Sequence, residues 1–130
     1  MIVIDTSAVL AIVLKEAEGS AFLTAMLAGN DCLLGAANLL ETRMVLHARD
    51  PANIPDMDLL LKRLRVRIEP VTESQSDLAF AAFRKFGKGM RHPAGLNFGD
   101  CFAYALAKDL GCPLLFKGND FIHTDITPAI

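Results

Sequence analysis

The chain has 130 residues, 52% hydrophobic and 22% charged, which fits one domain over residues 1–130 with a real core and excludes a disordered polyelectrolyte. A formal net charge of −2 and a pI near 5.9 exclude a protein that coats nucleic acid by charge alone, but leave open an enzyme on RNA whose bound metal ion supplies the positive charge. The apolar run at residues 8–14 is far short of the roughly 20 residues of a membrane span, and the opening Met1-Ile2-Val3-Ile4-Asp5 has no basic n-region or cleavage site, so a cytoplasmic protein is expected.

Ile2-Val3-Ile4 is β-branched and reads as a short buried strand ending at Asp5. Thr6 and Ser7 are helix-start residues, and the helix that follows to about Lys15 is apolar nearly all round, which calls for burial on several sides, another chain included. A second helix is expected over residues 18–28, closed by Gly29-Asn30-Asp31. Residues 32–34 suit a second strand, and residues 36–49 a helix that stops at Asp50-Pro51. A helix over residues 55–64 and a strand over 67–71 come next. Residues 74–85 form an amphipathic helix with Leu78, Ala79, Ala82, Phe83 and Phe86 on one face. The glycine-rich stretch 87–99, with Lys88, Arg91 and His92, is expected to be an exposed loop. A helix from near Asp100 to Gly111 and a fourth strand at residues 114–116 close the series, with a turn at 118–120. Cys32, Cys101 and Cys112 are odd in number and lack a CxxC pair, so they read as reduced core thiols.

Strands alternating with helices predict an α/β fold with a mostly parallel sheet, whose ligands bind beyond the carboxyl ends of the strands. Asp5 and Asp120 both lie just past a strand end. Asp5 could equally be a helix cap. Glu41 rises from an apolar helical stripe, and its neighbours three and four residues away, Ala37, Asn38, Met44 and Val45, offer no basic partner. Asp100 stands third after Asn97, where an acid also serves a capping box. Asp120 is a turn acid, and Asp125 close by competes for its place. Taken together, four distant segments bring carboxylates toward one region. Hard oxygen donors of this kind suit Mg2+ or Mn2+, and like charges so gathered need a cation.

The opening Ile2-Val-Ile-Asp5-Thr-Ser, the helix Asn38-Leu-Leu-Glu41-Thr, the segment Leu96-Asn-Phe-Gly-Asp100-Cys-Phe-Ala-Tyr104 and the closing Leu115-Phe-Lys-Gly-Asn-Asp120-Phe-Ile-His-Thr-Asp125 resemble, in order and spacing, the PIN-domain ribonucleases, and among them the VapC toxins of type II toxin-antitoxin pairs. The resemblance covers essentially the whole chain. It implies a three-layer α/β/α domain with Mg2+- or Mn2+-dependent endoribonuclease activity, on transfer RNA as a family-level guess. It also implies a homodimer and silencing by a cognate antitoxin. Asp5, Glu41, Asp100 and Asp120 then take the acidic positions, Asp5 and Asp100 as core metal ligands, with Thr6, Ser7 and Asn119 as polar support. Lys88, Arg91 and His92, with Arg84, Lys85 and Lys117, are candidate contacts to the RNA backbone.

Three other functions compete. A phosphoryl-transfer enzyme with an aspartate nucleophile would carry a second Asp two residues after the first, where this chain has Ser7. A non-catalytic binding module has no need of four acids. A PIN nuclease of RNA processing, outside toxin-antitoxin systems, has the same site and differs only in its genetic neighbourhood.

Overall fold

The structure is a computed structural model that describes residues 1–29 and 31–130. Among the described residues the chain runs β1 (Ile2–Ile4), α1 (Thr6–Val13), α2 (Gly19–Leu27), β2 (Cys32–Gly35), α3 (Ala36–Arg49), α4 (Asn53–Arg63), β3 (Arg67–Glu69), α5 (Glu73–Phe86), α6 (Phe98–Leu110) and β4 (Leu114–Leu115). One turn of 3-10 helix, Phe121–His123, follows. The expected turn at residues 29–31 includes Asn30, which lies outside the described residues.

The strands pair in the order β3-β2-β1-β4, all parallel. Period-two alternation decides which layer each strand residue feeds. Ile2, Ile4, Leu34 and Leu115 pack under α1, α2, α3 and α4, while Val3, Leu33 and Leu114 pack under α5 and α6. Both faces of the sheet are thus covered, as an all-parallel sheet requires, and the architecture is the three-layer α/β/α expected. Fully burying each such Leu or Ile contributes about 2–3 kcal/mol, which is why β1, β2 and β4 carry no polar side chain, whereas the edge strand β3, Arg67-Ile68-Glu69, is largely exposed. Beyond β4, residues 127–129 pair with Leu114 and cover that edge of the sheet.

Several expectations change in detail. Helix α1 buries Ala8, Val9 and Ala11 against the α2–α4 layer, while Leu10, Ile12 and Val13 pack on the same cluster and stay half-buried. Helix α6 starts at Phe98, because Asn97 is its N-cap, and ends at Gly111, whose φ of 63° suits a left-handed cap. The stretch 87–99 is not wholly exposed. Ala94 and Leu96 are buried, and Leu96 is pinned by Lys88 N–H donating to its carbonyl and by its own N–H donating to Phe86 O. On α5, Phe83 stands at the edge of the buried face and Phe80 outside it, both exposed. All three cysteines are buried and, among the described residues, outside any disulfide. No helix is long and apolar enough to cross a membrane among the described residues.

Candidate active site

Strand β1 sits between β2, which continues into α3, and β4, which continues into the turn 116–120. The crossover direction reverses at β1, and the carboxyl end of such a strand is where α/β sheets leave a crevice.

Asp5 occupies that end and is 3% exposed. Its Oδ2 caps α1, accepting from Ser7 N–H at 3.0 Å and from the Ser7 hydroxyl at 2.5 Å. Ser7 Oγ in turn accepts from Lys117 N–H at 2.9 Å, which ties the β4 turn to the same carboxylate. The cap therefore uses one oxygen. The other, Oδ1, is buried with no hydrogen-bond partner. A buried acceptor left bare is expensive, and ionisation makes it worse. Burial raises the Asp5 pKa to about 6, against the pull of the Ser7 bonds, and the charge of Glu41 raises it further.

Glu41 rises from α3 toward the start of α6. A Cβ on Gly99 would lie 1.9 Å from Glu41 Oε2, so only glycine lets the carboxylate stand there. Glu41 has a helical neighbour after all, though not a basic one: the Asn38 Nδ2 amide donates to Oε1 at 3.3 Å and to Gly99 O at 3.0 Å. The carbonyl of Asn38 accepts from the Thr42 hydroxyl at 2.7 Å and the Thr6 hydroxyl at 3.2 Å. Thr6 thus supports α3, whereas Ser7 supports Asp5 directly.

Asp100 is held by a capping box. It donates its N–H to Asn97 Oδ1 at 2.8 Å, and its Oδ2 accepts from Asn97 N–H at 3.0 Å. Burial raises its pKa to about 7, against the bond from Asn97, and the charges of Asp5, Asp120 and Glu41 push the same way. The charges of Asp5, Glu41 and Asp120 thus all act on the Asp100 carboxyl.

Asp120 precedes the 3-10 turn and is exposed, as is Asn119 beside it. Asp125 is engaged elsewhere: the Tyr104 hydroxyl donates to it at 2.7 Å and Lys108 Nζ pairs with it at 2.8 Å. These partners pull the Asp125 pKa below the usual carboxylate value in spite of the opposing effect of burial. Of the two competing acids, Asp120 is the one that Asp100 senses.

The basic candidates divide. Lys88 and Arg91 are exposed. His92 is half-buried, its Nδ1 accepting from Ala94 N–H at 3.1 Å and its ring edge on Phe86 at 5.0 Å, so it braces its own loop. Arg84 and Lys85 lie over the rings of Phe80 and Phe86. Lys117 is ion-paired with Glu16 and Glu18, which occupy it in the α1–α2 connection.

Among the described residues no three His, Cys, Asp or Glu side chains close into a finished metal cage. Carboxylates that share a field without a cation stand apart, and an ion that keeps most of its waters needs only one or two of them as direct ligands. Asp5 Oδ1 has no hydrogen-bond partner, and the Asp100 oxygen that accepts from Asn97 is Oδ2, so Asp5 Oδ1 and Asp100 Oδ1 are the atoms that could serve such an ion. Beside Glu41 an apolar hollow of about 450 Å³ opens between α3 and α6, lined by Leu40, Met44, Phe98 and Phe102.

Residues 2–126 match the model of the PIN domain. The chain belongs to the PIN-domain family. Relatives within it are ribonuclease VapC28 of Mycobacterium tuberculosis, 46% identical over 129 residues (98% of this chain, 97% of that one), and ribonuclease VapC30 of the same organism, 49% identical over 126 residues (95% of each). The crystal structure of Mycobacterium tuberculosis VapC20, described as a sarcin-ricin loop cleaving toxin, covers 98% of this chain and 97% of its own. Its TM-score is 0.79 at 18% identity, a likeness of fold.

Proposed function

We propose that this chain is an endoribonuclease of the VapC kind: the toxin of a toxin-antitoxin pair, dependent on Mg2+ or Mn2+, active in the cytoplasm as a homodimer and silenced by a cognate antitoxin. The observation that carries the metal-dependent part is Asp5 Oδ1, a buried carboxylate oxygen with no partner, beside a second carboxyl, Asp100, that feels Asp5, Glu41 and Asp120 together. Full-length relatives at 46% and 49% identity that are named VapC ribonucleases support the reaction class and, with it, RNA and an antitoxin as partners.

Asp5 and Asp100 would hold the ion, and Glu41 and Asp120 would complete its surroundings, through water or through a second ion. A bound divalent ion supplies Lewis-acid stabilisation of the phosphate and a water acidic enough to attack it. The chain's own residues do the positioning. Ser7 fixes Asp5 by two bonds, the Asn97 backbone fixes Asp100, and the missing Cβ of Gly99 leaves room for Glu41. Lys88 and Arg91 are exposed cations available to the RNA backbone. Exposed Leu40, Met44, Phe80 and Phe98 give a protein partner apolar surface next to the acids.

The test is cleavage of total RNA by purified protein in Mg2+ and in chelator, with Asp5→Asn and Asp100→Asn alongside. Wild type should cut only with the ion, and neither variant should cut. An identical RNA pattern from all three rules out the nuclease. Growth arrest by the wild type, relieved by co-expression of the short gene next to it, tests the toxin half separately.

A further inference from the structure

We infer that Asn38 is the positioning residue of this site: its side-chain amide sets where Glu41 stands relative to the first turn of α6, which carries Asp100. The inference rests on the proposed nuclease site and deepens it.

Asn38 is 1% exposed, and both protons of its Nδ2 are committed, one to Glu41 Oε1 at 3.3 Å and one to Gly99 O at 3.0 Å. The second acceptor lies 61 residues from Asn38 in sequence, on another helix. The amide has a single workable orientation. Turned over, it would set its oxygen against a carboxylate and a carbonyl, two acceptors with no proton between them. Asn38 Oδ1 meanwhile is buried without a partner, near where a Cβ on Gly35 would lie, at 3.3 Å. Leaving that oxygen bare costs stability, and what is gained is the placement of the two donors. The backbone of Asn38 is equally fixed, since the Thr6 and Thr42 hydroxyls both donate to its carbonyl. Gly99, the residue that Glu41 meets on α6, has no side chain to offer a donor in its place.

A residue that only braced the fold would lower stability and leave ion binding alone. Orienting neighbours of metal ligands behave differently, and losing one weakens binding by about 10–100-fold. Mn2+ titrated calorimetrically into full-length wild type, Asn38→Ala, Glu41→Ala and the double variant separates these cases. Asn38→Ala should weaken Mn2+ binding by at least about ten-fold, and should weaken it no further once Glu41 is gone. Asn38→Asp keeps the shape but loses the donors, and should be no better than Asn38→Ala in Mn2+ affinity and RNA cleavage. A metal-free readout protects the test against a variant that does not fold. In wild type the Asn38 side-chain amide protons should exchange slowly with solvent by NMR, and Glu41→Ala should shift and speed one of them.

Equal loss of Mn2+ affinity from Asn38→Ala with and without Glu41 overturns the inference, as does fast exchange of both amide protons in wild type. A wild type that binds Mn2+ and cuts RNA, matched by Asn38→Ala in both, sinks this inference alone. A wild type that neither binds Mn2+ nor cuts RNA sinks the nuclease site and this inference with it.

Discussion

Removing the charge at Asp5 should make the metal-free protein more stable at neutral pH while abolishing its activity. Burial raises the Asp5 pKa from 3.8 to about 6. The folded state therefore holds the proton more tightly than the unfolded chain between those values, and stability falls as pH rises through that window. At pH 8 the ionised, buried carboxylate costs the fold about 3 kcal/mol relative to pH 4, since each pKa unit is 1.36 kcal/mol. Asp100, held near 7, pushes in the same direction. Asp125 does not interfere, because its pKa lies below 3.8 and its stabilising contribution is already complete above that pH. Asn at position 5 keeps the cap, as Asn and Asp are near-equal N-caps, so the exchange isolates the charge. Thermal melts in chelator at pH 5 and pH 8 measure it. About 1.4 kcal/mol of that cost falls between pH 5 and pH 8, so wild type should lose roughly 5 °C across the interval from Asp5 alone, using the entropy of unfolding expected for a chain of this size. Asp5→Asn should lose much less, and Mg2+ should restore wild type but not the variant. A wild type equally stable at both pH values, or a variant with the wild-type slope, would refute the reasoning.

Gly99→Ala places a Cβ 1.9 Å from Glu41 Oε2 and must push the carboxylate away, so RNA cleavage should fall by about 10²-fold in a folded protein, checked by rate assay and circular dichroism. Asp120→Asn should impair cleavage and Asp125→Asn should not, and the same RNA assay on both variants decides between them. Tyr104→Phe removes the hydroxyl bond to Asp125 and should cost about 1 kcal/mol in urea unfolding, with cleavage unchanged. His92→Ala should destabilise the 87–99 loop, read as faster amide exchange at Ala94, more than it weakens binding to RNA.

Sequence showed the parts of this site that local rules govern. A strand that ends on an acid, Asn97 three residues before Asp100, and an acid on an apolar helical stripe are all visible within a few residues of chain. The four-strand parallel sheet was legible for the same reason, since short β-branched runs alternate with helices. What escaped were pairings made across the fold. Asn38 counted only as a neighbour of Glu41 that carried no charge, because its bond to Gly99 spans 61 residues. Gly99 looked like part of a glycine-rich loop, and its real constraint, the Glu41 carboxylate, arrives from another helix. Lys117 drew attention as a candidate RNA contact, yet Glu16 and Glu18 meet it only once the α1–α2 connection lies against the turn after β4. The 87–99 stretch was read by its glycines and charges, and Ala94 and Leu96, which bury it, were outvoted.

The close seat of Glu41 against Gly99 also has a genetic consequence. Every single-base change that replaces a glycine either adds a β-carbon or stops the chain. Codon 99 therefore has no neutral missense neighbours: each such step from it evicts the carboxylate. In cells that must escape this protein to grow, survivors should accumulate at codon 99 as readily as at the codons of the acids themselves, carrying full-length, folded and inactive product.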